Sequence, residues 1–130
     1  MTLGYADGGE LLERYGRAWE SFDGDAWVAL FTETAEYHPD PFEPPLVGHN
    51  AVRAYLLEAS AGQDQVEFTI ERHWVAGATV LAAWHASFVR RSSGARVRLA
   101  GFMTLDIADD GRIAQFREWW HRRESAGATG

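Results

Sequence analysis

Two residue types are missing from this sequence of 130 residues, which contains no cysteine and no lysine. Without cysteine there can be no disulfide, no thiolate metal ligand and no cysteine nucleophile. Without lysine there can be neither a Schiff-base lysine nor the lysine of a phosphate-binding loop. These two absences exclude enzymes that use a cysteine nucleophile, a Schiff-base lysine or the lysine of a phosphate-binding loop.

Positive charge and long apolar runs are also scarce. The chain has 12 basic residues against 19 acidic ones, a formal net charge of −7, which disfavours binding to nucleic acids or to anionic membranes. No apolar run approaches the roughly 20 residues needed to span a bilayer. The start of the chain is glycine-rich and acidic, unlike a secretory signal, so we expect a cytoplasmic protein.

The length and composition indicate one globular domain. A chain of 130 residues, 46% of them hydrophobic, is long enough to bury a core of its own. We expect this single domain to span residues 1–130, with residues 1–8 and 125–130 as flexible ends.

The first half of the chain is predicted to be mainly helical. Apolar residues recur at helical spacing from Leu11 to Phe22. Asp23 and Gly24 then interrupt the chain and cap a short second helix. After a short strand over residues 35–38 and a proline-rich loop, Gly48 introduces a third helix.

The second half is predicted to be an antiparallel meander. Four strand-like runs are separated by turns that contain glycine. Asp110-Gly111 between two such runs is a strong hairpin signal. Helices followed by a sheet predict an α+β fold with the helices on one face of the sheet. The four runs are residues 66–75, 79–91, 96–108 and 112–123.

Alternation along these strands predicts which side chains face the helices. A two-residue turn at Asp110-Gly111 pairs Met103 with Glu118, and a turn over residues 92–95 sets Trp84 beside Met103. The inner face then contains Trp84, Phe88, Gly101, Met103, Leu105, Phe116 and Trp120, with Glu118 among them.

Glu118 is the exception on this apolar face. A buried carboxylate without a partner is costly, or its pKa shifts so that it becomes neutral. One interpretation is structural: Glu118 forms an ion pair with Arg72, predicted to share the inner face with Trp74, or caps loop amides. The other is an acid or base inside a cavity. The surrounding aromatics are then either plain core or the lining of a ligand pocket.

The outer face of the sheet carries aromatics as well. The same registers align His85, Phe102 and Trp119 in one row across three strands. Apolar side chains on a face that the helices leave open predict a partner, and a homodimer packed sheet against sheet is the simplest one. The alternative is that C-terminal residues fold back over this row.

The order of elements resembles the nuclear transport factor 2-like superfamily, which includes ketosteroid isomerases and SnoaL-like polyketide cyclases. The resemblance covers about residues 10–123. It is specific for the fold and weak for the function, because this fold hosts many chemistries. The residues that carry it are the segments 22–27 (FDGDAW), 37–41 (YHPDP), 47–48 (VG), 110–113 (DGRI) and 117–120 (REWW).

The resemblance implies a cone: a strongly bent antiparallel sheet wrapped around the N-terminal helices, with an apolar pocket on its concave face. It adds Tyr15, Trp19 and Tyr37 as pocket walls. Asp40 before Pro41 matches the proton-shuttling Asp of ketosteroid isomerases, although with altered spacing.

Other parts of the family patterns are not matched. The place of the ketosteroid isomerase oxyanion-hole acid holds Met103. The inward-facing carboxylate that the relay of epoxide hydrolases needs is not found on the strand 79–91. Glu118 lies in the neighbourhood where SnoaL-like cyclases hold acid/base side chains.

The function expected from these residues is acid/base chemistry, of isomerase, cyclase or dehydratase type, on a small hydrophobic carbonyl compound. Glu118 would be the base or acid, Asp40 or His38 a second group, and Tyr15 or Tyr37 an oxyanion donor. No cofactor and no metal are expected. A non-catalytic binding domain, or a transport adaptor that uses the outer face, would be the alternative. The predicted substrate-binding residues are Trp19, Tyr37, Arg72, Trp84, Met103, Phe116 and Trp120.

Overall fold

Three helices precede most of the sheet in the computed structural model, which describes residues 3–125. Helix α1 spans Tyr5–Glu20, α2 spans Gly24–Val28 and α3 spans His49–Ser60. Helix α1 therefore begins inside the segment expected to be a flexible end. Residues 1–2 and 126–130, which belong to the expected flexible ends, lie outside the described part.

The helix boundaries follow from local hydrogen bonding. The Asp7 carboxylate accepts the Gly4 N–H at 3.1 Å at the start of α1. Phe22 adopts a positive φ of 53° just beyond the helix, and the chain turns there. Asp23 then caps α2 by accepting the Ala26 N–H at 3.0 Å. These contacts set the angle between the first two helices.

Six strands form one curved sheet in the order β2-β1-β6-β5-β4-β3. All neighbouring pairs are antiparallel except β1 and β6, which run parallel. Strand β1 begins earlier than predicted, and the short β2 was not predicted. This α+β arrangement is the predicted cone-like fold. The strands are β1 (Phe31–His38), β2 (Leu46–Val47), β3 (Gln63–Ala76), β4 (Thr79–Arg90), β5 (Arg96–Ile107) and β6 (Ile113–Glu124).

The predicted pairing of β5 with β6 is confirmed where the site lies. Met103 is opposite Glu118, and Gly101 is opposite Trp120. Between β4 and β5 the loop is longer than predicted, so Trp84 lies opposite Gly101 rather than beside Met103. A slip of two residues keeps every side chain on its predicted face.

A bulge in β3 overturns one prediction about the concave face. The register of β3 against β4 shifts between Ile70 and Arg72, and the extra residue reverses the alternation beyond it. Arg72 and Trp74 therefore lie on the convex face, where the Arg72 guanidinium is 4.8 Å from the Trp74 ring centre. The predicted ion pair between Arg72 and Glu118 is wrong.

The convex face carries an aromatic patch made of Trp74, Phe102 and Trp119. Phe102 is opposite Trp119, as predicted, and its ring centre is 6.1 Å from that of Trp74. His85 instead lies in the adjacent row, opposite Ala100, and pairs with Glu71 at 2.8 Å. The predicted row is therefore wrong at His85, which is displaced by two residues along β4, and Trp74 joins the patch from the neighbouring row, opposite Leu81.

The core lies between the helices and the concave face of the sheet. Leu12 and Val52 from the helices and Val80, Leu105 and Ile113 from the strands are fully buried there. Burying such side chains contributes about 1.5–3 kcal/mol each. Within residues 3–125 no helix is long and apolar enough to cross a membrane.

Candidate active site

A cavity of about 250 Å³ opens between the concave face of the sheet and helices α1 and α3. Its inner end is formed by side chains that are almost completely buried, and its rim by exposed or half-buried ones. The cavity therefore has a closed end and an open end. The inner end includes Tyr15, Trp27, Tyr37, Trp84 and Glu118, and the rim includes Arg90, Trp120 and Arg122.

Glu118 is the buried carboxylate of this cavity. It lies on β6, and only 9% of the residue is exposed. The Tyr37 hydroxyl donates a hydrogen bond of 3.0 Å to its Oε1. Burial raises the pKa of Glu118 to about 7, although the hydrogen bond from Tyr37 opposes this shift. At neutral pH the group is thus poised between its acid and base forms.

The environment of Glu118 contradicts the interpretation as half of an ion pair. Within the described part of the chain, the salt bridges involve other residues, and no cation approaches this carboxylate. An ion pair would lower its pKa, whereas here the pKa is raised. Glu118 has the properties of a cavity acid or base rather than of a structural ion pair.

Three tyrosines surround the carboxylate and remain protonated at neutral pH. Burial first, and then the charge of Glu118, raise the pKa values of Tyr15 and Tyr37 well above 10. The same two causes raise the pKa of Tyr55 to about 12. These hydroxyls are therefore available as hydrogen-bond donors near the carboxylate.

Phe116 holds two of these tyrosines in place. Its ring stacks on Tyr37 with centres 4.7 Å apart and on Tyr15 with centres 5.4 Å apart. Phe116 is itself fully buried, so the stack has little freedom to move. The hydroxyl groups at the inner end are thus positioned by packing.

Tryptophans form most of the remaining wall. Trp19 is oriented by the hydrogen bond of its indole N–H to Gln63 Oε1, at 2.8 Å. Trp84 lies across the backbone of Gly101. A Cβ atom at position 101 would come within 2.7 Å of the Trp84 ring and 2.5 Å of the Trp119 carbonyl oxygen. Only glycine lets Trp84 form the wall in this way.

Most of the residues predicted for the pocket line it. Two others, Met103 and Phe116, are buried in the core beneath it instead. Met103 lies opposite Glu118, so both residues support the site rather than form its surface. The predicted residues that line the cavity are Tyr15, Trp19, Tyr37, Trp84, Glu118 and Trp120.

His38, Asp40 and Arg72 are not brought to the cavity. Neighbouring residues of a strand point to opposite faces, so Tyr37 faces inward and His38 outward, where its ring bonds to Glu36 at 3.1 Å. Asp40 is exposed and accepts the Phe42 N–H at 2.9 Å. Arg72 is on the convex face because of the bulge.

Several cavity residues were not predicted as site residues, among them Trp27, Tyr55, Gln63 and Arg122. Arg122 could have been found from the sequence, because it continues the alternation of Glu118 and Trp120 along β6. Tyr55 and Trp27 come from helices whose angle to the sheet no local pattern gives.

A second depression, of about 460 Å³, lies over β4 to β6 on the side away from Glu118. Its titratable side chains, which include His85, Arg98 and His121, are exposed. The concave cavity is the stronger candidate because it combines enclosure with a buried ionisable group.

The curved sheet, the helices and the concave cavity together define a domain of the nuclear transport factor 2-like fold. The chain belongs to the SnoaL-like family: residues 12–116, most of its length, match the model of the SnoaL-like domain. A search of curated proteins gave no significant match.

Solved structures with the same fold include several enzymes. The epoxide hydrolase/cyclase-like enzyme SalBIII, which has a role in pyran ring formation in the polyether salinomycin, is 22% identical with a TM-score of 0.77, covering 89% of this chain and 92% of that one. The Δ5-3-ketosteroid isomerase of Mycobacterium sp. is 16% identical with a TM-score of 0.76, covering 92% and 98%. An LEH-like epoxide hydrolase of Mycobacterium tuberculosis is 20% identical with a TM-score of 0.73, covering 89% and 84%. At these identities the similarity establishes the fold alone.

Proposed function

We propose that this protein catalyses acid/base chemistry, of isomerase, cyclase or dehydratase type, on a small hydrophobic carbonyl compound. The observation that carries the proposal is Glu118: a carboxylate buried in an aromatic cavity, bonded to a tyrosine hydroxyl, with its pKa raised to about 7. A general base works best when its pKa lies near the working pH.

The first step would be proton removal beside the carbonyl group. Glu118 takes the proton from the carbon next to the carbonyl, and the electron pair of that C–H bond moves into an enolate whose charge rests on the carbonyl oxygen. Tyr37 occupies Oε1 of Glu118, so we assign the proton transfer to Oε2. Tyr15 is the donor we assign to the enolate oxygen, because its hydroxyl stays protonated.

The enolate can then react in two ways. Where a C=C bond is conjugated with the enolate, Glu118 can return the proton at the far carbon of that conjugated system, which moves the double bond and isomerises the compound. Alternatively the enolate carbon attacks a second carbonyl carbon of the same molecule, and the new alkoxide takes the proton from Glu118. Both routes restore the carboxylate and need no cofactor. Neighbours with this fold include an isomerase and a cyclase-like enzyme, whose activities fit this chemistry.

The size of the cavity limits the substrate. A volume of about 250 Å³ lies just below the roughly 300–1,000 Å³ typical of sites for drug-sized ligands. The walls are flat aromatic rings. We therefore propose a substrate of one or two rings rather than four.

Proton exchange tests the proposal directly. In D₂O the protein should catalyse replacement of the α-protons of a bicyclic aryl ketone such as tetralone, followed by proton NMR. Glu118→Gln should lose this activity, and Glu58→Gln, which changes an exposed glutamate on α3, should keep it. Binding without exchange across a panel of tetralones and indanones would overturn the enzymatic proposal.

A non-catalytic domain that binds a small ligand is the second candidate. A computationally designed 17-OHP binder has the same fold, with 17% identity and a TM-score of 0.74, so this architecture supports binding alone. In that case ligands would stabilise the protein by about 2.7 kcal/mol at 100 times their Kd. They would bind Glu118→Gln as tightly as the wild type, and neither protein would catalyse proton exchange.

The aromatic patch on the convex face supports a homodimer. Trp74 and Trp119 are 38% and 44% exposed, and the patch is flanked by the Glu71–His85 pair. We propose that two copies pack these faces together, because a contiguous exposed aromatic surface favours association.

The dimer proposal predicts a change of mass on substitution within the patch. Light scattering after gel filtration should give twice the chain mass for the wild type and the chain mass for Phe102→Asp/Trp119→Asp. Phe42→Asp is the matched control, since Phe42 is 92% exposed in the proline-rich loop, and it should remain dimeric. A wild-type protein that is monomeric at 100 µM would refute the proposal.

A further inference from the structure

The polar groups in the cavity wall are mostly hydrogen-bond donors. The indole N–H groups of Trp27 and Trp84 are buried and have no acceptor among residues 3–125. A buried donor without an acceptor is costly. Gln63 is already engaged, since it accepts from Trp19 and donates to the Ala59 carbonyl at 3.2 Å. Tyrosine hydroxyls at the inner end and guanidinium groups at the rim can donate hydrogen bonds to a ligand, so the wall favours a ligand with oxygen acceptors.

The sheet register orders these groups along the cavity. On the concave face Glu118 lies in the row of Met103, Trp84 in the next row with Trp120, and Arg122 in the row after that, opposite Leu99. Arg122 is four positions beyond Glu118 on β6, which is about 13 Å along the strand. The Trp84 indole is thus placed between the buried carboxylate and the rim.

The rim carries an excess of positive charge. Two guanidinium groups, Arg90 and Arg122, line it against one nearby carboxylate, Glu124. Arg90 bonds to Glu124 at 2.9 Å. That bond, and less strongly the charge of Arg122, lower the pKa of Glu124. Arg122 makes no salt bridge within the described part of the chain, although the whole protein has a net charge of −7.

We propose that the ligand of this cavity is a keto acid: an apolar ring compound that places its carbonyl group beside Glu118 and a carboxylate against Arg122 at the rim. The carbonyl and the carboxylate would be separated by roughly half the distance between the two residues, because both side chains reach toward the ligand. The inference rests on the proposed function, which locates the reacting end, and it adds the charged end of the substrate.

The test compares a negatively charged keto acid with its uncharged methyl ester. The probes are γ-benzoylbutyrate, an aryl keto acid of about the right size, and its methyl ester, with affinities measured by calorimetry at low ionic strength. The wild type should bind the acid about fivefold or more tightly than the ester, since charge-assisted hydrogen bonds are stronger than neutral ones. The preference should shrink in high salt because exposed charges are screened.

The variants Arg122→Gln and Arg123→Gln separate this site from general electrostatics. Both remove one exposed positive charge from adjacent positions of β6, but residue 123 points to the convex face. Arg122→Gln should abolish the preference for the acid, and Arg123→Gln should keep it.

The outcomes distinguish this inference from the proposed reaction. A preference for the acid that depends on Arg122, without proton exchange, would support the keto-acid ligand and overturn the catalytic proposal. Exchange of neutral ketones together with equal binding of acid and ester would support the catalytic proposal and overturn the keto-acid ligand. A preference that survives in Arg122→Gln, or no binding of either compound, would overturn the inference.

Discussion

Glu118→Gln should lower catalysed proton exchange by about 10²–10⁴-fold, the range typical of removing a general base. Glutamine has nearly the same shape, and its side-chain oxygen can accept the hydrogen bond from Tyr37, but it cannot take up a proton. Ligand affinity should therefore change only a few-fold. This split between rate and affinity is the signature of a group that acts in the reaction step.

The pH dependence of the rate supplies an independent readout. Because the base must be deprotonated, the wild-type rate should rise with pH and level off, with its midpoint near the Glu118 pKa of about 7. Tyr37→Phe removes the hydrogen bond that lowers this pKa, so the midpoint should move upward. A profile without a midpoint between pH 5 and 9, or a Gln variant that exchanges at the wild-type rate, would show that another group is the base.

Glu118→Gln should also make the protein more stable at alkaline pH. The carboxyl has a pKa of about 7 in the folded protein and an ordinary value of 4.5 when exposed, so the folded state holds this proton more tightly. The stability associated with it is fully present below about pH 4.5 and is lost as the pH rises through 7. At 1.36 kcal/mol per pH unit, the wild type loses about 3 kcal/mol that the Gln variant keeps.

Urea unfolding of both proteins at a series of pH values measures this difference. Above pH 8 the midpoint of the Gln variant should exceed that of the wild type by about 1–3 M, from typical slopes of 1–3 kcal/mol per molar urea. Near pH 4.5 the two should converge. Glu58→Gln should follow the wild type throughout. If Glu118→Gln were several kcal/mol less stable at every pH, the carboxylate would be a structural element and not a cavity base.

The parts of the site that local rules govern could be predicted from the sequence. Alternation along β5 and β6 places Glu118 on the concave face, and it lies opposite Met103 as predicted. The turn at Asp110-Gly111 is one residue longer than predicted, because Ile107 pairs with Ile113, and a bulge between there and Gln115 restores the register. The loop between β4 and β5 is longer than predicted, which displaces Trp84 by two residues relative to β5. A shift by an even number of residues leaves each side chain on its predicted face.

Arg72 shows where such reasoning fails. A single extra residue between Ile70 and Arg72 reverses the alternation for the rest of β3, and no residue in that stretch marks a bulge as a glycine would. Contacts between distant segments are also beyond local patterns. The parallel pairing of β1 with β6, which brings Tyr37 to Glu118, joins residues 81 positions apart. His38, one residue further along β1, faces away because side chains alternate along a strand.

Strand β6 contributes residues to the site from its inner end to its rim. Every second residue of β6 contributes in turn: Phe116 supports the tyrosines, Glu118 supplies the carboxylate, and Trp120 and Arg122 form the rim. The intervening residues, among them Trp119, belong to the convex face. The register of β6 against β5 beyond the bulge before Gln115 therefore decides which of its side chains face the cavity. A slip of one residue along β6 would turn Trp119 toward the cavity and Glu118 toward the convex face, with the composition of the strand unchanged.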